Sequence, residues 1–167
     1  MSDFAFEPAS FIPFRDQETV RRARAIRKAV YRYITAKNLD VGFASAAEVA
    51  RTRKGDCTEH AVLLTAALRA AGIPARVAGG LIYADEFAGA KGIFGYHMWS
   101  QALVKVDGTP RWVDVDATLH LEPGYDATHI ALMAAPLSDA QGTQDMLAIA
   151  AAMGRVKISV VGVEHRR

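Results

Sequence analysis

The stretch that decides the fold is KGDCTEH, at residues 54–60, followed by an apolar run over residues 61–71. Asp56 is a favourable N-cap residue, and Glu59 falls three positions after it. This pattern predicts a helix that begins with a capping box. Cys57 would then lie in the first turn, where free backbone N–H groups and the helix dipole favour a thiolate over a thiol.

The predicted helix is apolar nearly all round, so we expect it to be buried, and Gly72 and Pro74 mark its end. Cys57 is the only cysteine in the 167 residues and has no disulfide partner within the chain. A lone cysteine is most often a small buried apolar side chain. A sulfur at the start of a buried helix is also a candidate nucleophile, which would need a base and an orienting acid nearby.

Length and composition predict one globular domain over residues 1–167, with 51% hydrophobic residues and a net charge of +2. This charge is too small to argue for a nucleic-acid partner. No apolar run approaches about 18 residues, so no membrane span is expected. The N-terminus has no signal-peptide pattern, which predicts a cytoplasmic chain as given, or a periplasmic or extracytoplasmic one if it is excised from a longer exported parent. The sequence predicts no oligomeric state.

The first half of the chain reads as helical. Ile26, Val30, Tyr33 and Ile34 recur at helical spacing, and Ser45 is a cap for a short helix over residues 46–52. The basic residues of the first helix are interpreted as a solvated surface; they are Arg21, Arg22, Arg24, Arg27, Lys28 and Arg32.

The second half reads as strands over residues 75–83, 96–106, 112–118 and 156–163, with a helix over residues 146–153. The Gly79-Gly80 pair predicts a bulge, and Asp107-Gly108 predicts a hairpin turn. We expect residues 84–92 to form a loop at the rim of the site and residues 1–14 to form an extended arm. Helices followed by mostly antiparallel strands predict an α+β domain.

Alternation along the second strand places His97 and Trp99 on one face, and alternation along the third places Asp114 and Asp116 on one face. Neighbouring strands lie about 4.8 Å apart, within reach of a hydrogen bond between a histidine and a carboxylate. Cys57 would attack a carbonyl, His97 would move the proton, and a carboxylate would orient the imidazole ring. Spacing alone does not choose between the two aspartates.

The sequence contains three motifs in this order: GDC at 55–57, HMW at 97–99 and WVDVDAT at 112–118. The connection LRAAGIPAR at 68–76 lies between the first two. Over residues 53–118 they resemble the transglutaminase-like superfamily of cysteine enzymes, in its compact bacterial form. The resemblance implies a papain-like α+β fold in which the nucleophile helix packs on a mostly antiparallel sheet. It also implies Cys57 as nucleophile, His97 as base and acid, and Asp116 as orienting acid, with Asp114 as the alternative.

The resemblance further implies acyl transfer from amide carbonyls through a thioester, with a peptide or protein as substrate and no cofactor. Hydrolysis by a peptidase or amidase is preferred over transfer to an amine, as in a transglutaminase. No clustered acidic loop is present, so neither calcium dependence nor another metal is expected. The alternative from a different class is a non-catalytic domain that binds peptides or proteins on the same fold.

Other polar residues near the motifs have more than one interpretation. Tyr96 and Trp99 are candidates to line a substrate site, and Glu59 is a cap residue that could also contact substrate. His60 is interpreted as structural, with a base or a metal ligand beside Cys57 as the alternatives. The remaining histidines are interpreted as surface residues; they are His120, His129 and His165.

Overall fold

The computed structural model describes residues 17–37, 44–87, 89–120 and 128–137, and these form three helices and a four-stranded antiparallel sheet. The predicted α+β class is confirmed. The predicted arm over residues 1–14, helix over 146–153 and strand over 156–163 lie outside the described residues. The elements are α1 (Gln17–Tyr33), α2 (Ala46–Thr52), α3 (Cys57–Ala70), β1 (Ala75–Phe87), β2 (Ala90–Val106), β3 (Thr109–Val115) and β4 (His129–Ala135).

The strands lie in the order β3-β2-β1-β4. None of the helices in the described part of the chain is long and apolar enough to cross a membrane.

The capping box predicted at the start of α3 is present. The side chain of Asp56 accepts a hydrogen bond from the backbone N–H of Thr58 at 2.8 Å, and Glu59 accepts one from the backbone N–H of Asp56 at 3.0 Å. Gly55 leaves room for this turn, because a Cβ at that position would lie 2.2 Å from Cβ of Glu59. The cap therefore fixes Cys57 as the first residue of the helix.

Helix α3 packs on the sheet through apolar contacts and one polar connection. Leu64 and Leu68 are fully buried in the core that α1, α3 and β2 share. Ser100 on β2 donates a hydrogen bond to the carbonyl of Ala61 at 3.0 Å and contacts the Thr65 hydroxyl at 2.9 Å. These contacts set the position of the helix along β2.

The segment predicted as a loop over residues 84–92 is instead the tip of a long hairpin. Tyr83 pairs with Phe94 and Glu86 pairs with Lys91, so β1 and β2 extend beyond the predicted strands. The loop prediction was wrong because cross-strand pairing overrides the local effect of the two glycines. The Asp107-Gly108 turn between β2 and β3 is confirmed.

The bulge predicted at the glycine pair of β1 is also confirmed, in its pairing with β4, a strand that the sequence did not predict. The register between β1 and β4 shifts between Gly79 and Gly80. A Cβ on Gly80 would lie 2.0 Å from the carbonyl oxygen of Ile130 and 3.0 Å from Cη2 of Trp99. Gly80 therefore allows the backbone of β4 and the indole ring of β2 to approach β1 closely.

Arg27 departs from the solvated surface predicted for the basic residues of α1. Its side chain is only 2% exposed, and its Nη1 donates hydrogen bonds to the carbonyls of Asp116 at 3.2 Å and Leu119 at 2.7 Å. The prediction failed for Arg27 because α1 packs against the chain that follows β3. Arg27 thus ties the first helix to the segment that contains Asp116.

We expect Gly80→Ala to lower the free energy of unfolding by about 2 kcal/mol or more, because the new methyl group would overlap the backbone of β4. The matched control is Gly95→Ala on β2, where a Cβ meets no described atom within 4 Å and the effect should stay under about 0.5 kcal/mol. Urea denaturation measures both. Equal losses for the two variants would contradict the close approach at Gly80.

Candidate active site

Cys57 lies at the N-terminal end of α3, with its thiol half-buried and free of any disulfide. It packs beside a small apolar cluster of Ala61, Val77 and Met98. The sulfur lies close enough to the imidazole of His97 on β2 to help raise the pKa of that ring. Cys57 is therefore a partly buried residue beside an imidazole.

The second contact joins His97 to Asp116. Nε2 of His97 lies 2.6 Å from Oδ2 of Asp116, and both side chains are buried. Asp116 follows directly after the last residue of β3, and its Oδ1 accepts a hydrogen bond from the backbone N–H of Thr118 at 2.6 Å. This local turn directs the second carboxylate oxygen to the imidazole ring.

The two members of this pair shift each other's pKa. Burial by itself lowers the pKa of His97, but hydrogen bonds with Asp116 and Cys57 and the charge interactions with both outweigh burial and raise it to about 9. Burial raises the pKa of Asp116, but hydrogen bonds from His129 and His97 outweigh that effect and hold the pKa well below its ordinary value. The geometry therefore favours an aspartate beside an imidazolium at neutral pH.

Asp114, the alternative that the sequence left open, has different partners. Its Oδ1 accepts hydrogen bonds from Nε1 of Trp99 at 2.6 Å and from Nε2 of Gln101 at 2.9 Å. Trp99, a candidate to line the substrate site, is instead fully buried, so this indole packs inside the fold and offers no exposed face to substrate. His97 thus hydrogen-bonds to Asp116, while Asp114 anchors the tryptophan.

His129 is a member of this cluster that the sequence did not indicate. It is 6% exposed, and its Nε2 lies 3.2 Å from Oδ2 of Asp116. Interpreting it as a surface residue was wrong, because it begins β4 and pairs opposite Ile82 of β1. His120 is exposed as predicted, whereas His165 lies outside the described residues. A short apolar run without periodicity is the only sequence signal for β4, and it is ambiguous.

Glu59 and His60, the next two polar residues of α3, are both fully buried. Glu59 accepts hydrogen bonds from the backbone N–H groups of Ala44 and Asp56, and burial raises its pKa. Its role as a cap is therefore confirmed, and contact with substrate is not supported because the side chain is closed to solvent.

The imidazole of His60 donates from Nδ1 to the carbonyl of Asp56 at 2.6 Å, and burial lowers its pKa. These features fit the structural interpretation of this histidine. Tyr96 is half-buried next to His97 on β2, so it stays a candidate to line the site.

One group of donors in the described residues has the composition of a metal site. The ligand atoms of His97, Asp116 and His129 all lie within 4.8 Å of one another. Two histidines and a carboxylate suit a transition metal, but ligands of a tetrahedral zinc ion lie about 3.3 Å apart. The 2.6 Å between His97 and Asp116 is instead the distance of a charge-assisted hydrogen bond.

Comparison with known proteins gives a family and a fold. A family model described as the transglutaminase-like superfamily matches residues 13–117. A candidate cysteine protease from Cytophaga hutchinsonii has a similar structure, with a TM-score of 0.53 and 23% identity over 69% of this chain and 36% of that one. At this level of identity, the likeness concerns the fold. A search among curated proteins finds no significant match.

Two further structures are more distant. The periplasmic domain of TgpA from Pseudomonas aeruginosa, solved with bound ethylmercury, has a TM-score of 0.40 and 24% identity over 70% of this chain and 49% of that one. A candidate protease from Parabacteroides distasonis has a TM-score of 0.35 and 19% identity over 60% of this chain and 23% of that one. The chain thus spans less than half the length of each of these solved chains.

The pair formed by His97 and Asp116 should make the stability of the fold depend on pH. The pKa of His97 rises from 6.5 to about 9 on folding, so its stabilising contribution is complete below about pH 6.5 and is lost as the pH rises towards 9. In a Cys57→Ala background, which removes the titration of the thiol, we expect the free energy of unfolding to fall by roughly 1–3 kcal/mol across this range. Urea denaturation at several pH values measures it.

The matched control is Cys57→Ala combined with His97→Gln, which removes the titrating ring and keeps an amide donor. Its stability should be nearly flat over the same pH range. Identical slopes in the two proteins would show that His97 does not gain a proton-dependent partner on folding.

Proposed function

This chain belongs to the transglutaminase-like superfamily, and on that premise we propose that it is a cysteine-dependent enzyme that transfers acyl groups from amide carbonyls. In this proposal Cys57 is the nucleophile, His97 the general base and acid, and Asp116 the orienting acid. The observation that supports it is the 2.6 Å hydrogen bond between the imidazole of His97 and the carboxylate of Asp116, with Cys57 close enough to the same ring to help raise its pKa.

Acylation would begin with attack of the Cys57 sulfur on the carbonyl carbon of a peptide or protein amide. In the attacking pair the thiol proton already resides on His97, and the new C–S bond gives a tetrahedral intermediate with a negatively charged oxygen. The backbone N–H of Cys57 at the helix terminus is a donor for this oxygen. The C–N bond then breaks, His97 gives its proton to the leaving amine, and a thioester on Cys57 remains.

Deacylation would reverse these roles with a second nucleophile. His97 takes a proton from water, the oxygen attacks the thioester, and the C–S bond breaks to give a carboxylic acid and the free cysteine. Asp116 does not gain the proton in either half. Its charge keeps the ring in one orientation and stabilises the imidazolium. These steps use the chain's own groups and require no cofactor.

Water is the proposed acyl acceptor in preference to an amine, so the activity would be that of a peptidase or amidase. Cys57 is only partly buried, so a thioester formed at this residue would not be sealed from water. A transferase has to keep water away from such an intermediate for long enough to be intercepted by an amine.

We expect Asp116→Asn to slow acylation of Cys57 by roughly 100-fold or more, because the imidazole loses the charge that stabilises its protonated form. The reagent is a p-nitrophenyl ester of an acylated amino acid, with nitrophenol release and the protein mass recorded together. Asp114→Asn is the matched control, since it removes one nearby carboxylate, and its effect should stay under about tenfold.

No adduct at Cys57 in the wild-type protein, or equal losses in the two aspartate variants, would contradict the proposed site. Peptide binding that persists without acylation and is unchanged by Cys57→Ala would favour the non-catalytic binding domain.

Adding methylamine during turnover tests the acceptor. For a hydrolase we expect the carboxylic acid to stay the main product, with methylamide a minor product even when the amine is in large excess over the protein. Mass spectrometry of the released acyl group measures the ratio. A methylamide that dominates at low amine concentration would identify a transferase instead.

A further inference from the structure

The carboxylate of Asp116 is held by more groups than the proposed mechanism uses. Its Oδ1 accepts a hydrogen bond from the backbone N–H of Thr118, and its Oδ2 lies 2.6 Å from Nε2 of His97 and 3.2 Å from Nε2 of His129. His129 takes no proton in the two acyl-transfer steps. It lies beyond residues 53–118, the stretch that contains the three sequence motifs.

We propose that His129 is a positioning residue of this site, which donates its Nε2 hydrogen to Oδ2 of Asp116 and thereby fixes the carboxylate in the plane that holds the His97 ring. The inference rests on the proposed function for the roles of Cys57, His97 and Asp116. It adds a fourth side chain, from a strand at the opposite side of β1.

The first argument is a count of donors and acceptors. An ionised carboxylate only accepts hydrogen bonds, so each nitrogen that contacts Oδ2 has to carry a hydrogen. For His97, a hydrogen on Nε2 leaves Nδ1 as the nitrogen that exchanges a proton with Cys57. For His129, a hydrogen on Nε2 makes this nitrogen a donor to Oδ2 of Asp116.

The second argument concerns the packing that allows His129 on β4 to contact the site. His129 on β4 and His97 on β2 are separated by β1, where Gly80 is paired with both His97 and Ala131. Because Gly80 has no side chain, rings from the two flanking strands meet across it. The ring of His129 lies 5.6 Å from that of His97 and 5.2 Å from that of Trp99, measured between centroids.

The third argument concerns the cost of a buried charge. Asp116 is fully buried, and a buried carboxylate is stable only when donors replace its lost water. Removing His129 as a donor would leave Oδ2 with His97 as its one side-chain donor in the described residues. The carboxylate could then rotate, and the imidazole ring would lose the fixed orientation that proton transfer to and from the sulfur needs.

The test compares His129→Leu with His129→Gln. Leucine fills similar space without a donor, whereas the amide nitrogen of glutamine reaches near the position of Nε2 and can donate. The readout is the rate of Cys57 alkylation by iodoacetamide at about pH 7, which needs no substrate. We expect the leucine variant to react roughly tenfold or more slowly, and the glutamine variant to stay within about threefold of the wild type.

The same pattern should appear in kcat for the nitrophenyl ester, with KM changing little, because the residue acts through Asp116 rather than on the ester. His120→Leu, at an exposed histidine, controls for loss of an imidazole elsewhere on the protein. If leucine preserves the alkylation rate as well as glutamine does, His129 only fills space and the proposal is overturned.

A measurement on the wild-type protein decides the question even if His129→Leu does not fold. Long-range nitrogen–proton NMR spectra of the histidine rings identify which nitrogen carries the hydrogen. We expect His129 to carry a hydrogen on Nε2. A hydrogen on Nδ1 alone would mean that Nε2 cannot donate to Asp116, and would overturn the proposal.

These readouts separate the two hypotheses. A wild-type protein that never acylates on Cys57 would refute the proposed function, while the alkylation rates and the tautomer would still decide whether His129 positions Asp116. A wild-type protein that does acylate, with a leucine variant that matches it in kcat, would refute only the role of His129.

Discussion

The constraint on which the rest of the structure depends is one buried negative charge, the carboxylate of Asp116. It is closed to solvent and therefore needs hydrogen-bond donors from the protein in place of water. The donors come from separate parts of the described chain: the Thr118 backbone, His97 on β2 and His129 on β4. Each of these elements has to be in place before the charge is stable. The polar cluster thus specifies the relative positions of three strands as strictly as the apolar core does.

The helix that begins at Cys57 is fixed in a similar way, by hydrogen bonds between buried or capping carboxylates and backbone N–H groups. Glu59 tolerates burial because its two carboxylate oxygens accept hydrogen bonds from backbone N–H groups. The donors are Asp56 at the start of the helix and Ala44 before α2. The sulfur therefore approaches His97 from a rigid helix end rather than from a mobile loop. A thiol held at a capped helix end beside a buried imidazole needs little reorganisation for the chemistry proposed above.

Local signals in the sequence predicted the local features of the fold. The capping box at Asp56, the turn at Gly108 and the bulge at Gly80 each follow from the conformational needs of a few neighbouring residues. The sequence could not choose between Asp114 and Asp116, because both lie on one face and the outcome depends on where β3 ends. It also missed Arg27 and His129, since their burial is decided by helices and strands distant in the chain.

The contact of Arg27 with the carbonyl of Asp116 spans 89 residues, which has a consequence for how the protein is made. During synthesis α1 leaves the ribosome before the segment that Arg27 contacts, which follows β3, and before His129. Non-local contacts of this kind form slowly, because a long loop has to close before they contribute. A nascent chain that already contains Cys57 therefore has no assembled site. Assembly of the site is therefore coupled to completion of the sheet, so that Cys57, His97 and Asp116 come together only when the chain has folded.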